Sequence, residues 1–265
     1  MISPVSYFAG GFGYGLGGLN NIGIGAPQTF PNTSPGTPVR CHRLITDCSP
    51  TTAGSENDLV FNSFQLDDQD IMLTIGAGLQ CPASITFPDS VINPTLDFIA
   101  NRDSNVNVQM DNLGRVPDVI DALAGFRASV NGASPNQGVE GSTLEGVQDV
   151  GTGRLLALGS NAGVGVQNAT YSGTPLSARD LALFHLCVSS ESPVLQILTV
   201  QLDDYDFITG GTIPGDFCSH DNPAFSFRGA IATKSTTITV ALGGVGLPVV
   251  PAAGTMSAGI ACRAV

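Results

Sequence analysis

Two acidic clusters 136 residues apart hold the side chains best suited to chemistry: Asp67, Asp68 and Asp70, and again Asp203, Asp204 and Asp206. Three carboxylates within four positions supply hard oxygen donors, the ligand type that calcium gathers in large sets. Either cluster alone would leave calcium short of ligands, and neither has the spacing of a helix-loop-helix calcium loop. The competing reading is structural, because Asp stabilises turns by accepting hydrogen bonds from nearby backbone. Calcium is the one cofactor for which the chain offers candidate ligands.

Other reactive groupings carry less. Cys218-Ser219-His220-Asp221 sets a thiol, an imidazole and a carboxylate side by side, as a reactive cysteine or part of a metal site would. It also reads as a loop after Pro214-Gly215 in which Asp221 caps the backbone. The three histidines, His42, His185 and His220, have no G-x-S-x-G nucleophile elbow to serve. Gly13, Gly15 and Gly18 fit G-x-G-x-x-G, but no strand precedes them and no helix follows, so a dinucleotide site is excluded. The six cysteines (41, 48, 81, 187, 218 and 262) include no C-x-x-C pair. Cys41 and Cys48 are near enough in sequence for one local bridge, with buried thiols as the alternative. The chain is not expected to be an enzyme.

The elements that position these residues read as strands. Residues 59–66 and 71–75 are apolar runs flanking a four-residue polar turn that contains the first acidic cluster, which predicts a hairpin. The pattern recurs at 194–202, 203–206 and 207–209, with Gln-Leu-Asp-Asp-x-Asp common to both copies. A duplicated β unit is expected. This repeat offers an analogy, at the level of fold alone, with double jelly-roll capsid proteins. Fewer than eighty residues follow the start of the second hairpin, which counts against a complete second sandwich. Further strands are predicted at 155–158, 164–166 and 236–242, and near 260–264. Val119, Ile120, Leu123, Phe126 and Val130 follow Pro117-Asp118 at helical spacing, which predicts a helix over 117–129. Ser177-Ala-Arg-Asp180 resembles a helix cap and predicts a short helix over 181–186.

Residues 1–38 stand apart. No charge occurs before Arg40, and Tyr7, Phe8, Phe12, Tyr14, Leu16, Leu19, Ile22 and Ile24 are spaced by glycine. Such a segment resists helix formation but can lie extended across a neighbouring surface. It is expected to be an assembly arm without a fold of its own. The expected organisation is an arm over 1–38, a β-rich unit over 39–175 and a second unit, or the completion of one large sandwich, over 176–265. The fold class is all-β, sandwich or jelly-roll-like, with one or two short helices.

Composition bounds the function. Charged residues make up 12% of the chain, about half the usual share of a soluble domain. Hydrophobic residues reach 42%, which excludes disorder. The net charge is −12 with no basic cluster, so direct binding to nucleic acid is not expected. No secretory signal is visible, and the least polar stretch, 238–260, is broken by Gly243, Gly244, Gly246, Pro248 and Pro251 and predicts no transmembrane helix. The expected class is a self-assembling structural protein, a viral capsid or other virion shell subunit. Its partners would be copies of itself and other structural proteins, in a virion or an extracellular assembly. The alternative is a bacterial surface or spore appendage subunit, assembled into fibres by strand addition.

Overall fold

Period-two burial, the mark of a strand with one face inward, runs through most of the chain. The computed structural model describes residues 12–36, 38–50, 58–76, 80–86, 98–114, 119–130, 153–161, 168–190, 195–218, 225–244 and 256–265. In chain order the strands are β1 (Phe12–Gly23), β2 (Gln28–Thr29), β3 (Val39–Pro50), β4 (Leu59–Leu66), β5 (Gln69–Asp70), β6 (Met72–Thr74), β7 (Cys81–Pro82), β8 (Phe98–Ala100), β9 (Val106–Asn112), β10 (Val119–Val130), β11 (Gly153–Asn161), β12 (Asn168–Gly173), β13 (Leu181–Ser190), β14 (Leu195–Leu202), β15 (Tyr205–Asp206), β16 (Ile213–Pro214), β17 (Ser226–Ala232), β18 (Ile238–Gly244) and β19 (Met256–Ala264). Single 3-10 turns occur at Ala83–Thr86 and Gly215–Cys218.

The strands form the same fold twice. In the first unit one sheet has the order β1-β10-β3-β8, and the other is β2-β9-β4 with β5 and β7 both paired to β4. In the second unit the sheets are β11-β19-β13-β17 and β12-β18-β14, with β15 and β16 both paired to β14. Setting aside the short hairpin returns β5 and β15, and β6, which pairs with the other unit, the eight remaining strands of each unit, numbered along the chain, lie in sheets 1-8-3-6 and 2-7-4-5. That order defines a jelly roll. The predicted all-β, jelly-roll-like class is what the chain adopts, and the second sandwich is complete because it starts at β11 rather than at the second hairpin.

Local details repeat as well. β4 and β14 begin and end 136 residues apart. β1 bulges against β10 between Gly15 and Gly17, and β11 bulges against β19 between Ala157 and Gly159. Gly17 sits at φ 95°, where a Cβ would also meet Pro31 Cγ at 2.9 Å, so both backbone and space require glycine there.

Each unit has its own core. Tyr14, Leu16, Phe64, Phe98, Val108 and Phe126 belong to the first, where the rings of Phe98 and Phe126 meet edge to face at 5.3 Å. Leu156, Leu183, Val200, Val240 and Ile260 belong to the second. The strands 12–130 thus group together, as do 153–264, with one exception described below. The chain divides after residue 130 rather than at 175, and 12–24 belong to the first unit rather than to a separate arm.

Both predicted helices are strands. Over 117–129 the described residues lie in β10, the strand between β1 and β3. Ile120, Ala122, Ala124 and Phe126 are all buried, a period of two that the helical count missed by passing over the alanines. Over 181–186 the chain lies in β13, and Ser177 Oγ accepts from the Arg179 N–H at 3.2 Å in a local turn instead of capping a helix. The strand expected at 164–166 lies outside the described residues. No helix among the described residues is long and apolar enough to cross a membrane.

The exception is β6, which leaves the first unit and pairs in parallel with β11, setting Met72 against Leu155 and Thr74 against Ala157. The Leu155 N–H donates to Ile71 O at 3.1 Å and the Ile75 N–H to Ala157 O at 3.3 Å. Beside it, Cys81 and Pro82 press on the outer face of the second unit's first sheet. A Cβ added to Gly259 would stand 2.6 Å from Cys81 Sγ and 3.2 Å from Pro82 Cδ. Leu155, Ala157 and Cys187, outward on that sheet, are buried in the first unit's core cluster. The second unit's first sheet is therefore covered on both faces, and Met256 to Cys262 of β19 are buried without alternation.

Candidate functional site

The acidic clusters occupy equivalent two-residue hairpin loops, tighter than the four-residue turn expected, since Leu66 pairs with Gln69 and Leu202 with Tyr205. The first loop residue is left-handed in both, Asp67 at φ 51° and Asp203 at φ 50°, a conformation Asp tolerates better than most residues. Each of these carboxylates then binds the turn before the strand paired with its own, β9 for Asp67 and β18 for Asp203. Asp67 Oδ1 accepts from the Asn105 N–H at 2.7 Å and Asp67 Oδ2 from Ser104 Oγ at 3.1 Å. Asp203 Oδ1 accepts from the Thr237 N–H at 2.7 Å. Asp70 Oδ1 accepts from Gln65 Nε2 at 2.8 Å, and Asp206 Oδ1 from the Ile208 N–H at 2.8 Å. Asp68 and Asp204 are exposed. The carboxylates thus point to separate donors, and among the described residues no group of three or more His, Cys, Asp or Glu is arranged to hold a metal ion.

The residues expected to form an arm are divided. Tyr7 and Phe8 lie outside the described residues, and Phe12 opens β1. Tyr14, Leu16, Leu19 and Ile22 are buried in the chain's own first core, paired along β10, and Ile24 is exposed beside an isolated bridge to Asn112. Tyr14 OH donates to Asn32 O at 3.0 Å, and burial pushes this phenol up to about 12. The reading of this stretch as an extended arm without a fold is corrected for 12–24. Gly15 and Gly18 are exposed, while Tyr14, Leu16, Leu19 and Ile22 face in.

The cysteines are structural. Cys41 and Cys48 lie on one extended strand, β3, with seven residues of rise between them, about 23 Å at the usual strand rise, so they cannot bridge. Five of the six cysteines are buried, and Cys48 is half-buried. Burial drives Cys41, Cys81 and Cys218 well above the ordinary thiol range and raises Cys262 to about 12. Such thiols are protonated at neutral pH and make poor nucleophiles. The Ser219, His220 and Asp221 that follow Cys218 lie outside the described residues.

Sequence reading passed over the apolar corner of the second unit. Tyr205, 66% exposed, and Phe217, 43% exposed, flank partly buried Phe207 and Phe225. The rings of Tyr205 and Phe207 are 4.9 Å apart and those of Phe207 and Phe225 6.1 Å, both edge to face, and the Phe225 N–H donates to Phe217 O at 3.0 Å. Exposed aromatics in contact on one corner are what protein interfaces use as anchors. A tandem jelly roll with this corner is the class of protein that fold and surface define. No protein-family model, curated protein or solved structure matches the chain.

Proposed function

We propose that this chain is a structural subunit that assembles with copies of itself into a shell, the shell of a virion. The observation that carries the reading is the tandem jelly roll, an architecture used in viral capsid domains. The argument from fold is analogy. It is supported by the surface, where aromatic side chains cluster on the second unit's corner. The charge of −12 fits a subunit that contacts protein neighbours rather than nucleic acid.

Negative-stain electron microscopy and sedimentation velocity of the purified chain test this reading. Closed particles or capsomer-like rings are expected. Open filaments would favour the appendage alternative, and a chain that stays monomeric at every concentration would overturn self-assembly.

A further inference from the structure

The duplication gives the chain two copies of each surface but only one joint between them. In that joint the first unit's corner, with Ile71, Met72, Cys81 and Pro82, covers the outer face of the second unit's first sheet at Leu155, Ala157 and Gly259. The equivalent corner of the second unit is Phe207, Ile208, Ile213 and Pro214, placed by identical pairing: Phe61 opposite Cys81 and Ile197 opposite Ile213. Its burial differs where the joint is missing. Cys81 and Pro82 are both buried, whereas Ile213 is half-buried and Pro214 exposed, with Phe217 beside them. On the outer face of the first unit's first sheet, the described residues Gly15, Gly18, Asp47 and Ser49 are likewise exposed, where the second unit buries Leu155, Ala157 and Ala261.

We infer that the Phe207–Phe217 corner of one copy docks on the β1-β10-β3 outer face of a second copy, repeating between chains the joint that exists within each. The inference rests on the self-assembly reading and adds the partner surface and its polarity. The occupant is a second copy because the complementary halves, one corner and one face, are left uncovered on the same molecule and match a contact the chain already makes.

The second joint is not an identical copy of the first. Between hairpin and corner the repeat offset falls from 136 to 132 residues, and the chain turns at Gly210 and Gly211, both at positive φ, where the first unit sends out β6. Docking between copies therefore lacks the parallel strand and relies on the aromatic side chains, which suits a reversible contact. Being head to tail, it generates rings or filaments according to the rotation it imposes.

Two variants separate the halves. Tyr205→Ser/Phe217→Ser strips the corner at exposed positions, and Gly15→Gln blocks the face, where an added Cβ meets nothing within 4 Å in the chain itself. Sedimentation velocity with matched circular-dichroism melts should show both variants folded, each associating about thirtyfold more weakly or worse, as loss of an interface anchor does. A one-to-one mixture should form a discrete dimer, since one partner retains a corner and the other a face. Variants that assemble like the parent chain, or a mixture that stays monomeric, would overturn the joint and leave the shell reading standing. A parent chain that never associates would instead remove the shell reading.

Discussion

Replacing Leu16 with alanine tests whether the glycine-spaced segment belongs to its own chain. Leu16 is 0% exposed and sits in the middle of β1 among the first core's residues, so the change removes three carbons from a packed interior. Buried Leu→Ala changes cost about 3–5 kcal/mol, transfer and cavity together. For a chain of this size about 1 kcal/mol moves Tm by about 2–4 °C, so the expected fall is about 6–20 °C. The assay is thermal unfolding followed by circular dichroism at low protein concentration, where association between chains is absent. Ile24→Ser, at a position already 37% exposed, is the control and should shift Tm by no more than about 1–2 °C. An arm reaching to a neighbour would behave oppositely, leaving the dilute chain's Tm unchanged and weakening only assembly. That result would refute the placement of β1 in its own sheet.

Two further outcomes follow from contacts within the chain. Gly259→Ala forces a methyl against Cys81 Sγ and the rigid Pro82 ring, so it should destabilise by about 1–3 kcal/mol in urea titration. Cys81→Ala in the same chain should recover part of that loss, and purely additive costs would mean the two units do not meet there. Asp111 is buried, and desolvation raises its carboxyl above the ordinary value against the opposing hydrogen bond from the Asn112 N–H. A raised folded-state value means that its contribution is fully present below the unfolded carboxylate range and is lost as pH rises through the folded value. Asp111→Asn keeps an acceptor for that N–H, so its Tm should exceed the parent's at pH 7, with the gap closing as pH falls into the carboxylate range.

The strand class and the repeated hairpin were legible because Leu59–Leu66 and Leu195–Leu202 carry uninterrupted apolar character into an acidic turn. The duplication reaches much further than that match. Asn101 with Ser104 and Thr233 with Thr236 make the same reciprocal turn before β9 and β18, with different side chains supplying the same bonds. Sequence identity is silent when Ser104 and Thr236 supply the same hydroxyl acceptor and Asn101 and Thr233 make these bonds through their backbone. β10 was misread because its inward positions include Ala122 and Ala124, which fit helix and strand equally. β1 was misread because two register shifts break its alternation, leaving Leu16, Leu19 and Ile22 at intervals of three. The carboxylates' roles as backbone acceptors were legible as one of two readings, but their partners Asn105 and Thr237 lie too far along the chain to be read from spacing. The aromatic corner could not be assembled from spacing, since Phe207, Phe217 and Phe225 meet through tertiary folding.

β6 gives the two halves an order in time. On a ribosome the first jelly roll emerges through β10 while Met72–Thr74 still lacks its partner, because β11 begins only at Gly153. Until then three residues of strand, and the apolar corner around Cys81 and Pro82, face solvent as an unpaired template of the kind that invites misassociation. The start of the second half therefore completes the first. Synthesis beyond residue 161 is the point at which the nascent chain covers that edge, whereas in the second unit the chain turns at Gly210 and Gly211 where the first sends out β6.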